Sequence, residues 1–260
     1  MKHKILDHGY IELIDSWGSD ESIIEAARMS TAKGFLGWEP GPCPTCDGQS
    51  TTCKTCDGKG THDGDAKLLK FLWNNKHSTP FEFGGLTIEV QAPLMVFREW
   101  HRHRTQSYSE RSARYTPLPD MNYLPTADRM LSGVAQAKGN RQASSASSAE
   151  VLTMESALEW QASLANVYEH AERVYQDGLR RGVPKELARL PVPVGRYSTM
   201  RASANLRNWL GFEALRLPKN AQYEIRVFAE ALHEILSDVF PRTTSLFDDG
   251  VKQPVVKEGK

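Results

Sequence analysis

Apolar and polar positions alternate along this chain with two different periods, and the switches between them outline its elements. Around Tyr10 to Ile14 the period is two, which predicts a short strand. Ser19 and Asp20 then offer N-caps to a helix reaching about Met29, with Ile23, Ile24 and Ala27 at helical spacing. Residues 67–76 (KLLKFLWNNK) read as a short amphipathic helix. Leu86 to Ala92 alternates again as a half-buried strand, and Pro93 suits the first turn of a helix through LMVFREWHRH. The most regular helix runs from Leu152 to about Arg181, with Leu158, Leu164, Val167, Ala171, Val174 and Leu179 at helical intervals. Gly182 and Pro184 stop it, and Pro184 opens another short helix through Arg189. Residues 203–216 and 220–239 are expected as further helices. The polar, low-complexity stretch 132–149 reads as a mobile loop. The sum is α+β, with the strands in the first half and a helix-rich second half.

Residues 34–64 break the pattern: Gly, Pro, Thr, Cys and Asp dominate and no apolar period is sustained. All four cysteines lie here, as Cys43-Pro-Thr-Cys46, six residues, then Cys53-Lys-Thr-Cys56. Two such pairs suit one closed tetrahedral site for a structural Zn2+, and four thiolates leave no open catalytic position. The alternative is a set of reduced or disulfide-linked thiols. The second pair, with Asp57-Gly-Lys-Gly60 behind it, resembles the CxxCxGxG repeat of DnaJ-type chaperone zinc domains; the first keeps only CxxCxG. So few apolar residues cannot fold alone, so a metal would organise this stretch. The expected organisation is one domain of residues 1–33 and 65–260, interrupted by a zinc-knuckle module at 34–64.

Composition narrows the rest. Lysine plus arginine equals aspartate plus glutamate at 32 each, so no net field draws the chain to nucleic acid or a membrane. The N-terminus has no apolar stretch of signal-peptide length and no run approaches a bilayer span, which suggests a cytoplasmic protein. Any anion site must come from local clustering. That clustering occurs between Arg98 and Tyr115, where five arginines and two histidines crowd with hydroxyls beside Glu99 and Glu110. Arg98 and Arg102, four apart, would share a helix face if the helix reached residue 102. Guanidinium forks suit phosphate and planar rings, and loop hydroxyls can complete a phosphate cradle. A solvated ion-pair network or a nucleic-acid patch would use the same composition.

The order of residues within the cluster is more informative. Arg102-His103-Arg104, seven residues, then Ser112 resembles the signature of flavin-dependent thymidylate synthases. Ser-Tyr-Ser-Glu-Arg-Ser-Ala-Arg-Tyr at 107–115, His77-Ser-Thr-Pro-Phe-Glu82, and Ala26-Ala-Arg-Met-Ser30 are similar to that family's segments too. So are ELARLPVP around Arg189, Asn205-Leu-Arg207 and Leu215-Arg216. The resemblance spans nearly the whole chain outside 34–64. It implies an antiparallel sheet flanked by long helices, assembled as a homotetramer whose subunits share active sites.

The resemblance also implies methylation of dUMP to dTMP, with methylenetetrahydrofolate supplying the carbon and NADPH-reduced FAD the hydride. No enzyme nucleophile is needed, which agrees with a chain whose cysteines are all grouped elsewhere. The implied catalytic residues are Arg216, Ser112 and Arg102, with Arg216 beside the uracil favouring its N3-deprotonated form. Glu99, Arg102, Glu110, Arg111, Ser112, Ala113, Arg114, Arg189 and Arg216 would hold dUMP. Ser30, His77, Thr79, Glu82, Arg102, His103, Arg104, Glu110, Asn205, Arg207 and Gly211 would contact FAD. A product other than dTMP, such as a hydroxymethylated nucleotide, is compatible with the same residues. Three positions depart from the pattern: Glu99 stands where a glutamine is usual, Ser109 replaces an asparagine, and Gly211 replaces Asn or His. A carboxylate at 99 would have to be protonated or paired, with Arg98 or Arg102 as the neighbours in sequence.

Overall fold

Leu86, Ile88, Val90 and Ala92 are all fully buried, and the strand that carries them, β5 (Gly85–Pro93), lies at the centre of a five-stranded sheet. The order is β1 (Lys2–Ile5), β2 (Gly9–Trp17), β5, β7 (Tyr197–Asn205) and β6 (Ser107–Glu110). β1 and β2 are antiparallel, with Ile5 opposite Gly9. Any side chain at Gly9 would meet the Ile5 carbonyl oxygen at 2.6 Å and that of Gln91 at 2.9 Å, so the close approach of the backbones requires glycine. The structure, a computed structural model, describes residues 1–137 and 152–252.

The chain forms two compact units. The first comprises Met1–Glu12, Ile88–Ala202 and Leu215–Ala231, and the second Leu13–Thr87, Ser203–Ala214 and Leu232–Lys260. In the first, Trp100, Phe97, Tyr175, Tyr197 and Phe228 are the largest fully buried apolar side chains. At about 1.5–3 kcal/mol for each large side chain removed from water, such a group dominates the local stability. The buried Arg196 guanidinium is matched there by Glu172 and the Pro119 carbonyl. In the second unit the core is Ile23, Ile24, Leu69, Trp209, Phe212, Ile235, Leu236 and Phe240.

Local chemistry sets the helix ends. α1 (Asp20–Arg28) begins at a capping box between Ser19 and Ser22, and α5 (Met154–Arg180) at one between Thr153 and Ser156. Gly182, at φ 76°, terminates α5 as its position after Leu179 requires. α2 (Asp65–Asn74), α3 (Leu94–Trp100), α6 (Lys185–Ala188) and α8 (Tyr223–Val239) follow the sequence pattern to within a few residues, α3 stopping earliest.

Several elements differ from the sequence reading. α3 ends at Trp100, because Tyr108 donates its hydroxyl to the carbonyls of Trp100 (3.1 Å) and His103 (2.7 Å) and turns the chain there. Arg98 and Arg102 therefore do not share a helix face. β6 lies within what reads as a loop, and β1 precedes the expected first strand. Residues 203–205 finish β7, and α7 (Leu206–Arg216) starts only afterwards. β7 buries Ser198, Met200, Ala202 and Ala204, small or unbranched residues with little intrinsic preference for strands. α4 (Ala127–Ala137) occupies the start of the expected polar loop, whose remainder, 138–149, lies outside the described residues. α9 (Pro241–Lys252) is also additional. Its first turn is capped by Asp20, which accepts from the backbone of Arg242 (2.8 Å) and Thr243 (3.1 Å) across 222 residues. A two-stranded ribbon, β3 (Gly41–Pro42) with β4 (Thr61–His62), lies inside the cysteine-bearing stretch.

Candidate active site

In the first unit, the turn held by Tyr108 presents Glu99 and His103 to the same guanidinium. Arg216, the last residue of α7, donates from Nη1 to Glu99 Oε2 (3.0 Å), from Nη2 to the Glu99 carbonyl (3.3 Å) and from Nε to His103 Nε2 (3.0 Å). Glu99 is thus paired, and its partner is Arg216 rather than Arg98 or Arg102. Burial raises the Glu99 carboxyl above its usual range against the opposing pull of Arg216. Burial and the Arg216 charge push His103 down to about 4, so its ring is neutral near pH 7. Because Nε2 accepts from Arg216, the ring proton belongs on Nδ1. Arg216 retains a partly exposed edge beside an anion and a neutral acceptor.

The signature loop follows. Ser112 accepts the backbone N–H of Arg114 at its hydroxyl (3.3 Å), and its carbonyl accepts from Tyr115 and Thr116 (3.0 and 3.1 Å), folding 112–116 into a tight turn. Ala113 is buried under that turn. Arg102, Arg104, Glu110, Arg111 and Arg114 are exposed. Arg111 is tied through its backbone to Thr199 O and through its side chain to Pro117 O, while Arg114 approaches Glu186 at 3.6 Å. Arg189 caps the end of α6 with its side chain exposed.

An open groove of about 580 Å3 runs beside this loop, lined by Tyr10, Glu89, Gln91, Ser109, Glu110, Arg111, Thr199 and Arg201. Tyr10 donates to Glu89 (2.8 Å), which also pairs with Arg201 at 3.3 Å. Five of these residues, Tyr10, Glu89, Gln91, Thr199 and Arg201, escaped sequence reasoning. Their only signal is that they are the polar alternates of buried strand positions. A hollow of similar size, about 600 Å3, follows the flank of α5 from His170 to Arg180 and gathers none of the signature residues.

The second unit holds the remaining expected flavin contacts. Thr79 to Glu82 form a single 3-10 turn, and the Glu82 carboxylate pairs with Arg207. Asn205 caps α7, accepting the Asn208 N–H at 3.0 Å, while Leu206 N–H bonds Gly84 O at 2.7 Å. The 79–82 turn and the start of α7 are therefore held together. His77, exposed, donates its backbone N–H to Leu72 O. Ser30 is exposed in the turn after α1. Gly211 faces open space: a β-carbon there would have no neighbour within 4 Å among the described residues.

The four cysteines converge, with all four sulfurs within 4.8 Å of one another and the pairs Cys43–Cys53 and Cys46–Cys56 at 3.8 Å. Zinc–sulfur bonds of about 2.3 Å in a tetrahedron put sulfurs about 3.8 Å apart, so the cluster has the dimensions of a tetrathiolate metal site. Backbone N–H groups hold the Cys53 thiol down at about 6, where thiolate is accessible at neutral pH.

The chain is similar to known proteins over most of its length. Residues 12–242 match the family model described as thymidylate synthase complementing protein. The flavin-dependent thymidylate synthase of Wolbachia pipientis wMel is 34% identical over 95% of this chain and 76% of its own length. That of Thermus thermophilus is 34% identical over 94% of this chain and 77% of its own. That of Thermosipho melanesiensis is 32% identical over 95% and 93% respectively. Among solved structures, the UMP/dUMP methylase PolB from Streptomyces cacaoi bound with 5-Br dUMP superposes with a TM-score of 0.73 and 28% identity. The overlap covers 95% of this chain and 97% of that one.

Proposed function

Since this chain belongs to the thymidylate synthase complementing protein family, the flavin-dependent thymidylate synthases, we propose that it methylates dUMP to dTMP, with methylenetetrahydrofolate as carbon donor and NADPH-reduced FAD as hydride source. The observation that carries the reading is the Arg216–Glu99–His103 arrangement beside a loop of exposed arginines. Uracil carbon 5 must become electron-rich to attack the folate carbon. A fixed guanidinium beside the ring lowers the cost of removing the N3 proton, at about 1.4 kcal/mol per unit of pKa. In this chain Glu99 shares that guanidinium. With its own carboxyl raised by burial, it is suited to receive the N3 proton while Arg216 holds the resulting anion.

Ser112, Ala113 and Arg114 offer a hydroxyl, backbone N–H groups and a guanidinium to the nucleotide phosphate, with Arg102, Glu110, Arg111 and Arg189 around it. The residues assigned to FAD fit such a group. His77, Thr79, Glu82, Asn205 and Arg207 expose polar atoms on packed turns, Ser30 does so nearby in sequence to α1, and Gly211 leaves uncovered space. His103, neutral, and Arg104 contribute donors from the signature loop. Bound FAD would supply the redox chemistry; the protein orients it and excludes water.

Residues 1–33 and 65–260 make the catalytic domain in this reading, and 34–64 a zinc module. Assembly as a homotetramer with shared sites is supported by apolar side chains left uncovered on one chain. Leu158, Trp160, Val167 and Val174 on α5 are 46–58% exposed, and Leu190 and Leu215 are 78% and 65% exposed. Among the described residues no helix is long and apolar enough to cross a membrane. Reduced thiols and balanced charge favour the cytoplasm and argue against nucleic acid as a partner.

The test is direct. Purified protein with FAD should be yellow, bleach on addition of NADPH, and convert dUMP to a product heavier by one methyl group when methylenetetrahydrofolate is present. UMP belongs in the same assay, because the solved relative is described as acting on both nucleotides. A colourless protein that neither takes up FAD nor oxidises NADPH would overturn the proposal, and a hydroxymethylated product would correct it.

A further inference from the structure

The cysteine module reaches beyond its own ion. Its two knuckles repeat each other: Asp47-Gly48 and Asp57-Gly58 both take left-handed backbone, at φ 48° and 75° and at φ 53° and 73°. Each knuckle closes with a matching N–H bond, Gln49 to Cys46 O at 2.8 Å and Lys59 to Cys56 O at 3.0 Å. Gly60 N–H points at Cys56 Sγ at 3.2 Å, the hydrogen bond that stabilises a metal-bound thiolate. Within 34–64 the buried positions are Cys43, Cys56, Gly60 and Gly64, so no apolar side chain other than the cysteines is fully buried there; the half-buried Phe35 and Trp38 pack edge to face at 4.9 Å at its start.

What the module holds is Asp65. Below the β3–β4 ribbon, Asp65 donates its N–H to Gly37 O at 2.8 Å, and Ala66 donates to Trp38 O at 3.2 Å. The fully buried Asp65 carboxylate accepts the Leu36 N–H at 2.7 Å with one oxygen and pairs with the Arg28 guanidinium through the other. Arg28 ends α1 and leads directly into the Met29–Thr31 turn, which closes on Ala32 in left-handed backbone at φ 54°. The path from sulfur cluster to Ser30 is thus continuous through backbone bonds and one buried ion pair, all inside the second unit. A buried carboxylate that loses its partners is costly, so the arrangement behaves as a two-state clasp rather than a spring.

We propose that the tetrathiolate site takes a zinc-class divalent ion and acts as a clasp: with the ion bound, Asp65 locks Arg28, and the 28–32 turn is held in the position that offers Ser30 to the flavin. Only this last link rests on the flavin reading above. Metal occupancy would then set flavin affinity without the ion touching the reaction.

The full-length protein is purified with its metal, stripped with a chelator and reloaded with zinc or cobalt(II). Three quantities are read: metal per chain, amide exchange over residues 28–38 and 61–66, and FAD affinity by fluorescence quenching. The clasp predicts one ion per chain, cobalt absorption of a tetrahedral thiolate site, and at least tenfold faster exchange in both segments after stripping. FAD binding should weaken roughly 5- to 150-fold, the usual range for coupling between two sites, and recover on reloading. Asp65→Asn should keep the ion and still weaken FAD binding, separating the clasp from any collapse of the module. No stoichiometric metal, or stripped protein with unchanged exchange over 28–33 and unchanged FAD affinity, overturns the proposal. A loaded protein that shows the exchange difference yet takes up no FAD upholds the lock on Arg28 and refutes the flavin reading instead.

Discussion

Arg216 spends its donors on Glu99 and His103 at once, so a single residue fixes both the charge and the tautomer of the site. Arg216→Ala should leave FAD bound while dUMP turnover drops about 10²–10³-fold, the usual loss for removing one preorganised donor; steady-state kinetics with a parallel FAD titration checks this. Glu99→Gln keeps the shape but cannot take a proton. It should hold turnover within about tenfold, yet erase the limb of the pH–rate profile that Glu99 ionisation produces. A profile identical to that of the unaltered chain would remove Glu99 from proton transfer. His103 carries a stability consequence as well. Its folded value, about 4, lies below the ordinary histidine range, so the unfolded chain binds more protons between those values. Its contribution is present above about pH 6.5 and declines as pH falls toward 4. His103→Gln should therefore flatten acid unfolding followed by circular dichroism across that window.

Among the elements, α9 depends most on distant residues. Asp20 caps it, and His233 lies 3.3 Å from both Glu213 and Asp248. Asp20→Ala leaves the Arg242 and Thr243 N–H groups and the Thr243 hydroxyl without their acceptor, at a cost of about 1–3 kcal/mol, visible as a lower Tm. Its hydrogen bond to Glu213, with both carboxylates near, raises His233, and burial raises Glu213. Both raised groups bind more protons when folded, so their support is complete at low pH and is lost as pH rises through the folded value of His233. The Tm should fall as pH rises above the ordinary histidine value of about 6.5, and His233→Gln should shrink that fall. The cap of α1 at Ser19 was legible because it is local, its partner Ser22 three residues on, and the Thr153–Ser156 box of α5 is as local though it went unread. The cap of α9 was not, because its acceptor lies 222 residues away.

At the scale of the whole molecule, the apolar stripe of α5 is the telling feature. Val167 and Val174 repeat at helical spacing as if for a core, yet they are 58% and 46% exposed on one chain. Covering them with further copies removes the discrepancy. If the proposed homotetramer with shared sites forms, light scattering should give about four times the 29.2 kDa chain mass, and Trp160→Glu combined with Val167→Glu should reduce it and abolish turnover together. Loss of assembly with full activity would show that each chain is sufficient alone.

What the sequence determined by itself is whatever depends on near neighbours: the cap at Ser19, strand alternation around Ile88 and Val90, the proline and glycine stops, and the paired cysteine spacing. It also carried the contiguous run from Arg102 to Ser112 on which the family resemblance rests. Tertiary structure alone decided which partner Glu99 takes, that Tyr108 ends α3, that Ser203–Asn205 belong to a strand, and that Asp65 reaches Arg28. The Tyr108 hydroxyl reaches back only eight residues, but its bond overrides a helical pattern that is itself local. The others are settled by groups far along the chain whose hydrogen bonds or burial outweigh a local preference of a few tenths of a kcal/mol, and no window of the sequence contains both partners.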